Sequence, residues 1–439
     1  MDYTPPPMPE LEPLSFDRAL RDAAREFERR RLTGEPPAGA LTALLCDDET
    51  LHWLRELRGK DPLAGALEAW LLRLREQARF GGARAELGRA HRTDLHPIVE
   101  PERTVLPLAE MLRLSLIRPR ERAAYLRGYF AATTELAQRV QRLWEERQMF
   151  AEEIGSPLAS FEVKSSASAD AARAFIAETE GAFETLRIRE PAELVTTLLA
   201  ESASEGWPAR LSQRSTLDLL GDPVWFHGLR LRPFALPEAR GASSFLLALI
   251  QTGRALSDAA SALRAPFVLA SDVFDSDRHA FGALLGMLPL SIVFAQRRLG
   301  LAPSRARDQQ RVLARAALAD LRVAAFRVLL RELLLGPLSR LRSELPEQST
   351  GALGFELPLE VAGVFIRVRP RDTQRFTGAL WAATRYDELV QVHEEDWFRN
   401  PRAIAELRAG LGEPAPNALS AETLGAGTRA FAARIQSLL

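Results

Sequence analysis

The chain has 439 residues, 46% of them hydrophobic, enough for a sizeable core and too many for wholesale disorder. Its 57 Lys and Arg balance 58 Asp and Glu, which excludes a generically basic nucleic-acid binder, and its single cysteine, Cys46, excludes a disulfide framework or a Cys-based metal cluster. Only Lys60 and Lys164 are lysine and neither stands in a Gly-Lys-Ser/Thr sequence, so phosphate-loop chemistry is excluded as well.

Residues 1–14 are rich in proline and acid and lack the basic start and apolar run of a signal peptide, so a flexible tip is expected there. Ser15 is placed to cap a helix from Phe16 towards Arg31, stopped by Gly34. Asp61-Pro62 gives a cap followed by proline at the first helical position, and Leu63, Leu67, Trp70, Leu71 and Leu74 keep helical spacing up to Gly81-Gly82. Pro119 opens a longer helix through Tyr125, Tyr129, Leu136, Val140 and Trp144, ending near Gly155. Amphipathic runs follow over about 168–187, 191–203, 243–264, 277–288 and 304–335.

Candidate strands are few: 158–163, 228–234 and 355–369, each short or interrupted by proline. The segments 221–242 and 345–375 bring Pro and Gly together and read as irregular. The apolar stretch from Phe281 to Ala295 is too short to span a membrane and is broken by Pro289. The pattern predicts a mainly α, multi-helix body with a few short strands. It divides into the tip at 1–14, a helical region at 15–205 and a second at 206–439, although one contiguous body fits the same pattern.

Few residues carry an obvious chemistry. There is no Gly-x-Ser-x-Gly elbow and no Gly-x-Gly-x-x-Gly after a strand. Cys46 sits in an apolar run and reads as a core residue, His91 and His96 are five apart and do not share a helical face, and His52 and His227 are isolated. Asp272, Asp275, Asp277 and His279 form the densest group, in a segment without the glycine turn and final glutamate of an EF-hand. Acids there can gather round a hard cation or cap the helix that follows, and capping is the simpler reading.

From Leu231 to Leu256, the Pro/Gly-rich approach and the apolar run ending Ile250-Gln251-Thr252-Gly253-Arg254-Ala255-Leu256 resemble the active-site approach of the thimet oligopeptidase and oligoendopeptidase F type zinc peptidases. Members of that family carry His-Glu-x-Gly-His-Ala on this helix. The run Asp277-Arg278-His279-Ala280-Phe281 is similar to the helix that supplies their third zinc ligand, and Glu395-Asp396-Trp397-Phe398-Arg399-Asn400-Pro401-Arg402 resembles a segment near the chain end of bacterial members. The likeness covers roughly 220–410. It implies a large helical zincin-like body with an interior groove.

The zinc-binding letters are absent. Ile250 and Arg254 stand at the two histidine positions, Gln251 at the general base and Asp277 at the third ligand. Isoleucine has no donor atom, arginine brings positive charge, and glutamine has no basic carboxylate. The resemblance therefore implies no zinc and no other cofactor, with an Arg254–Asp277 ion pair expected in the metal's place. The resulting expectation is a catalytically inactive, cytoplasmic peptidase-like protein of bacterial type. It would bind a peptide or protein partner, an active peptidase relative among the candidates, and neither nucleic acid nor membrane. Two other readings stay open: a hydrolase with a non-standard metal site around Asp272, Asp275 and His279, and a helical interaction module unrelated to peptidases.

Overall fold

Several helices begin where the sequence supplies a proline or a side-chain oxygen at the right place. In the computed structural model, residues 12–22, 48–61, 63–89, 118–155, 166–221, 223–229, 231, 241–261, 266–270, 277–363, 365–366, 368, 372–411 and 420–439 are described. Helix α1 covers 13–22, and the Phe16 N–H donates to the Glu12 carbonyl at 3.0 Å. Pro13 thus takes the first helical position, where its missing N–H costs nothing, and Ser15 lies inside the first turn instead of capping it.

Helix α2 is Asp48–Leu57 and α3 is Ala64–Arg89, with the Asp61 carboxylate accepting from the Leu63 N–H at 2.7 Å as the sequence predicts. Helix α3 runs on through Gly81-Gly82, where a stop was expected. Contacts with α4, Pro119–Glu153, hold the extra turns: Phe80 meets Phe150 edge-on at 5.5 Å and the Glu76 carboxylate accepts from Arg147 Nε at 2.5 Å. Pairing of this kind offsets the roughly 1 kcal/mol each helical glycine costs.

Next come α5 (Ser166–Glu178), α6 (Glu180–Glu184), α7 (Pro191–Leu199) and α8 (Gln213–Leu220), the last begun by a reciprocal Ser212–Ser215 capping box. Then follow α9 (Gly241–Ser261), α10 (Phe267–Ala270), α11 (Asp277–Met287) and α12 (Ile292–Arg298). Pro289 lies in a 3-10 turn between α11 and α12, and the two segments bend by 78°. No single helix among the described residues is long and apolar enough to cross a membrane.

The remaining helices are α13 (Pro303–Leu335), α14 (Leu338–Leu353), α15 (Asp372–His393), α16 (Pro401–Gly410) and α17 (Ala421–Leu438). Helix α14 contains Pro346 inside it, so the expected irregular segment begins at Gly354 and not at 345. Buried Leu341, Leu345, Ala352 and Leu353 hold it through the proline.

No strand forms among the described residues; only the isolated bridges Arg58–Asp61 and Ala362–Ile366 occur. Among the described residues of 355–369 the expected strand does not form; a 3-10 turn stands at Leu359–Val361, and Pro358 and Gly363 (φ +77°) break the extended run. Its apolar residues Phe355, Leu357, Val361 and Ile366 are buried against helices instead of a partner strand. Of the segment 228–234 the described residues are irregular, and 158–163 lies outside the described residues.

Helix α13 is the axis of the body. Its second half, Ala316 to Leu334, is buried on nearly every side, while Arg305, Arg307, Arg311 and Arg315 of its first half are exposed, and it packs against α5, α7, α12, α14, α15 and α17. One cluster of buried side chains includes residues from Phe16 in α1 to Ile435 in α17. Within it stands Arg322, 1% exposed, donating to the carbonyls of Ile176 (2.9 Å) and Ala352 (3.0 Å), to Gly351 O and to Thr179 Oγ1 (2.9 Å). These carbonyls end α5 and α14, so the cation satisfies orphan acceptors at two negative helix ends. Burial pushes its pKa down to about 10, partly countered by Glu180, and the group stays charged at neutral pH.

Candidate functional site

The residues singled out by the sequence stand where α9 meets α11, and glycine decides that contact. A Cβ on Gly253 would come within 2.8 Å of Gly282 Cα and of the Phe281 carbonyl oxygen. A Cβ on Gly282 would meet the Ile250 carbonyl at 2.7 Å and Arg254 Cγ at 2.8 Å, and one on Gly286 would meet Ile250 Cγ1 at 2.6 Å. These pairs run in opposite senses along the two chains, so the helices are antiparallel and in backbone contact. Ile250 seats on Gly286, and the aliphatic stem of Arg254 lies on Gly282.

Arg254 Nη1 donates to Gln251 Oε1 at 3.3 Å, an i to i+3 contact along α9. Both residues are half-buried, as is Ile250. Asp277 is the first residue of α11, five positions before Gly282 and so about 7.5 Å from it along the axis. Its side chain, and with it the expected Arg254–Asp277 pair, lies outside the described residues. So do Asp272, Asp275, Cys46, His91 and His96. His279 is 8% exposed and packs on α15, where a Cβ on Gly378 would meet His279 Cβ at 3.0 Å and the Ala280 nitrogen at 2.7 Å. His52 and His227 are exposed, and His52 pairs with Glu56 at 3.1 Å.

The residues at this contact do not fit a zinc ion. Position 250 offers a hydrocarbon packed on a glycine, and position 254 a cation. Position 251 offers a neutral amide oxygen already accepting from that cation. Among the described residues, no three His, Cys, Asp or Glu side chains gather as a metal-ligand set.

A polar cluster that the sequence did not single out lies further along the same layer of helices. Ser291 caps α12, accepting from the N–H groups of Val293 at 3.1 Å and Phe294 at 3.4 Å, while its own hydroxyl donates to Glu395 Oε2 at 2.9 Å. Tyr386 of α15 donates to the same oxygen at 3.4 Å. Burial raises the Tyr386 pKa well above its ordinary value, so the phenol keeps its proton and acts as a donor. Arg434 of α17 lies 3.9 Å over the Tyr386 ring and reaches Glu395 at 3.7 Å and Asp387 at 3.6 Å.

Four elements therefore meet at one carboxylate, which holds the turn after α15 in place. That turn carries fully buried Trp397 and Phe398, and the Trp225 Nε1–H donates to the Phe398 carbonyl at 3.3 Å. The Glu395–Arg402 segment matters to the fold through these aromatic anchors and the carboxylate beside them. The sequence signal for the cluster is Glu395, two residues before Trp397-Phe398; its partners, 104 residues apart in the case of Ser291, have no local signature.

No known protein family matches the chain, and no curated protein matches it.

Proposed function

We propose that the chain acts by binding a peptide or protein partner and does not hydrolyse peptides with a metal at the α9–α11 contact. The observation that supports this reading is the seating of Ile250 on Gly286 and of the Arg254 stem on Gly282, with Gln251 engaged by Arg254. Where the oligopeptidases carry two histidines and a glutamate, this chain has packing groups and a cation. The relation to those peptidases is part of the proposal and rests on the order of the resembling segments along the sequence. The alternative hydrolase around Asp272, Asp275 and His279 is less favoured, because the histidine it would use is buried, its Cβ packed on Gly378.

The test uses the purified full chain with a mixed fluorescent peptide library, reading anisotropy for binding and mass spectrometry for cleavage. The expected result is saturable binding of peptides that remain intact, with or without added zinc. Cleavage abolished by a chelator and restored by zinc would overturn the proposal.

A further inference from the structure

A second feature, independent of the α9–α11 contact, lies beside the turn at 223–229. The turn is anchored from below by Trp225, fully buried, and from the side by Arg408 of α16, whose Nη1 and Nη2 donate to the carbonyls of Val224 and His227. Between this turn, the end of α9 and α16 is a hollow of about 360 Å³. That volume falls within the roughly 300–1,000 Å³ of small-molecule sites. Ala260, Ala405 and Ala409 are among its walls, and their short side chains are the reason for the space. Leu229 adds a further apolar wall.

Its lining includes one cation, the Arg408 guanidinium. Arg408 and His227 both line the hollow, and among the described residues neither meets a carboxylate. Half-buried Arg375 and Arg385, by contrast, meet carboxylates: Arg375 that of Asp320, and Arg385 those of Glu388 at 3.0 Å and Glu406 at 2.6 Å. The Arg408 guanidinium has five N–H donors, of which two are spent on backbone carbonyls. The carbonyls fix the fork without cancelling its charge, and the His227 imidazole, exposed at the rim, has no hydrogen-bond partner among the described residues. An open, largely apolar hollow with a fixed guanidinium at its edge matches a compact apolar body ending in a carboxylate.

We propose that this hollow is a binding site for a small organic monocarboxylate, its apolar body against Ala260, Ala405 and Leu229 and its carboxylate on Arg408 and His227. The shared chemistry covers both a free aliphatic acid and the C-terminal residue of a peptide. Calorimetric titration of the full chain at low salt with hexanoate and with N-acetyl-leucine separates these sources, the tighter binder naming the one used. The expected dissociation constant is about 1 mM or tighter. Hexanamide, of the same shape without charge, should bind about tenfold more weakly. Ala409→Leu, on an exposed position that leaves Arg408 intact, should weaken the acid about tenfold with an unchanged circular dichroism spectrum. Ala405→Leu provides a second way of filling the hollow, and His227→Gln should weaken the acid less than either. No saturable heat with either acid up to about 10 mM would overturn the proposal. Equal affinity for hexanamide, undiminished binding by both leucine variants, or binding of inorganic phosphate in place of hexanoate would overturn it too.

Discussion

The contact between α9 and α11 and the cluster around Glu395 solve the same problem, joining distant helices, by opposite means. At the first, side-chain bulk is removed until backbones touch: Gly253, Gly282 and Gly286 make room for one another, for Ile250 and for the stem of Arg254. At the second, one carboxylate gathers a hydroxyl, a phenol and a guanidinium from three helices or their starts. A contact of the first kind tolerates no added atom, whereas the second depends on every donor finding its acceptor. Resemblance to a peptidase family directs attention to the first region, yet the dense polar chemistry stands in the second.

The largest effect should come from crowding the glycine contact. Gly253→Val places atoms against the Gly282 and Phe281 backbone, so the helices must part, and a destabilisation of about 2–3 kcal/mol is expected in chemical denaturation. An unchanged midpoint would mean that the two helices are not in backbone contact. Next in size is the polar cluster. Ser291→Ala removes both the α12 cap and a donor to Glu395, and should cost about 1–2 kcal/mol by the same measurement.

Helical glycine without neighbours should behave the other way. A Cβ on Gly82 in α3 meets nothing within 4 Å, so Gly82→Ala is expected to raise stability by up to about 1 kcal/mol. Opposite signs at positions 82 and 253 would sharpen the distinction between a glycine kept for closeness and one that is merely tolerated. The smallest effect concerns acid. Burial raises the Asp387 pKa, with Glu395 adding to the shift and Arg434 opposing it. A folded pKa above the unfolded one favours the fold at low pH, and that contribution fades as pH rises through the folded value. Asp387→Asn should therefore gain on the parent protein at neutral pH and lose this advantage in acid, as read from thermal midpoints across pH.

Local chemistry alone determined much of the helix layout. Asp61 caps α3, Pro119 opens α4, and the 3.6-residue spacing of apolar residues locates α9, α11 and α13 within a few positions, because caps, proline and amphipathic stripes act over one or two turns. Where a local signal was outweighed, the cause lies at a distance. Phe80 and Glu76 meeting α4 carry α3 past Gly81-Gly82, and buried leucines carry α14 past Pro346. The alternating residues of 355–369 find helices to bury against instead of a strand to pair with. The candidate site divides in the same way. That positions 250, 251 and 254 lack metal-binding groups is written in the sequence, since residue chemistry needs no coordinates. That Ile250 rests on Gly286, that Arg254 lies on Gly282, and that Glu395 draws in Ser291, Tyr386 and Arg434 are matters of helix register and packing, which no stretch of sequence specifies until the helices have docked.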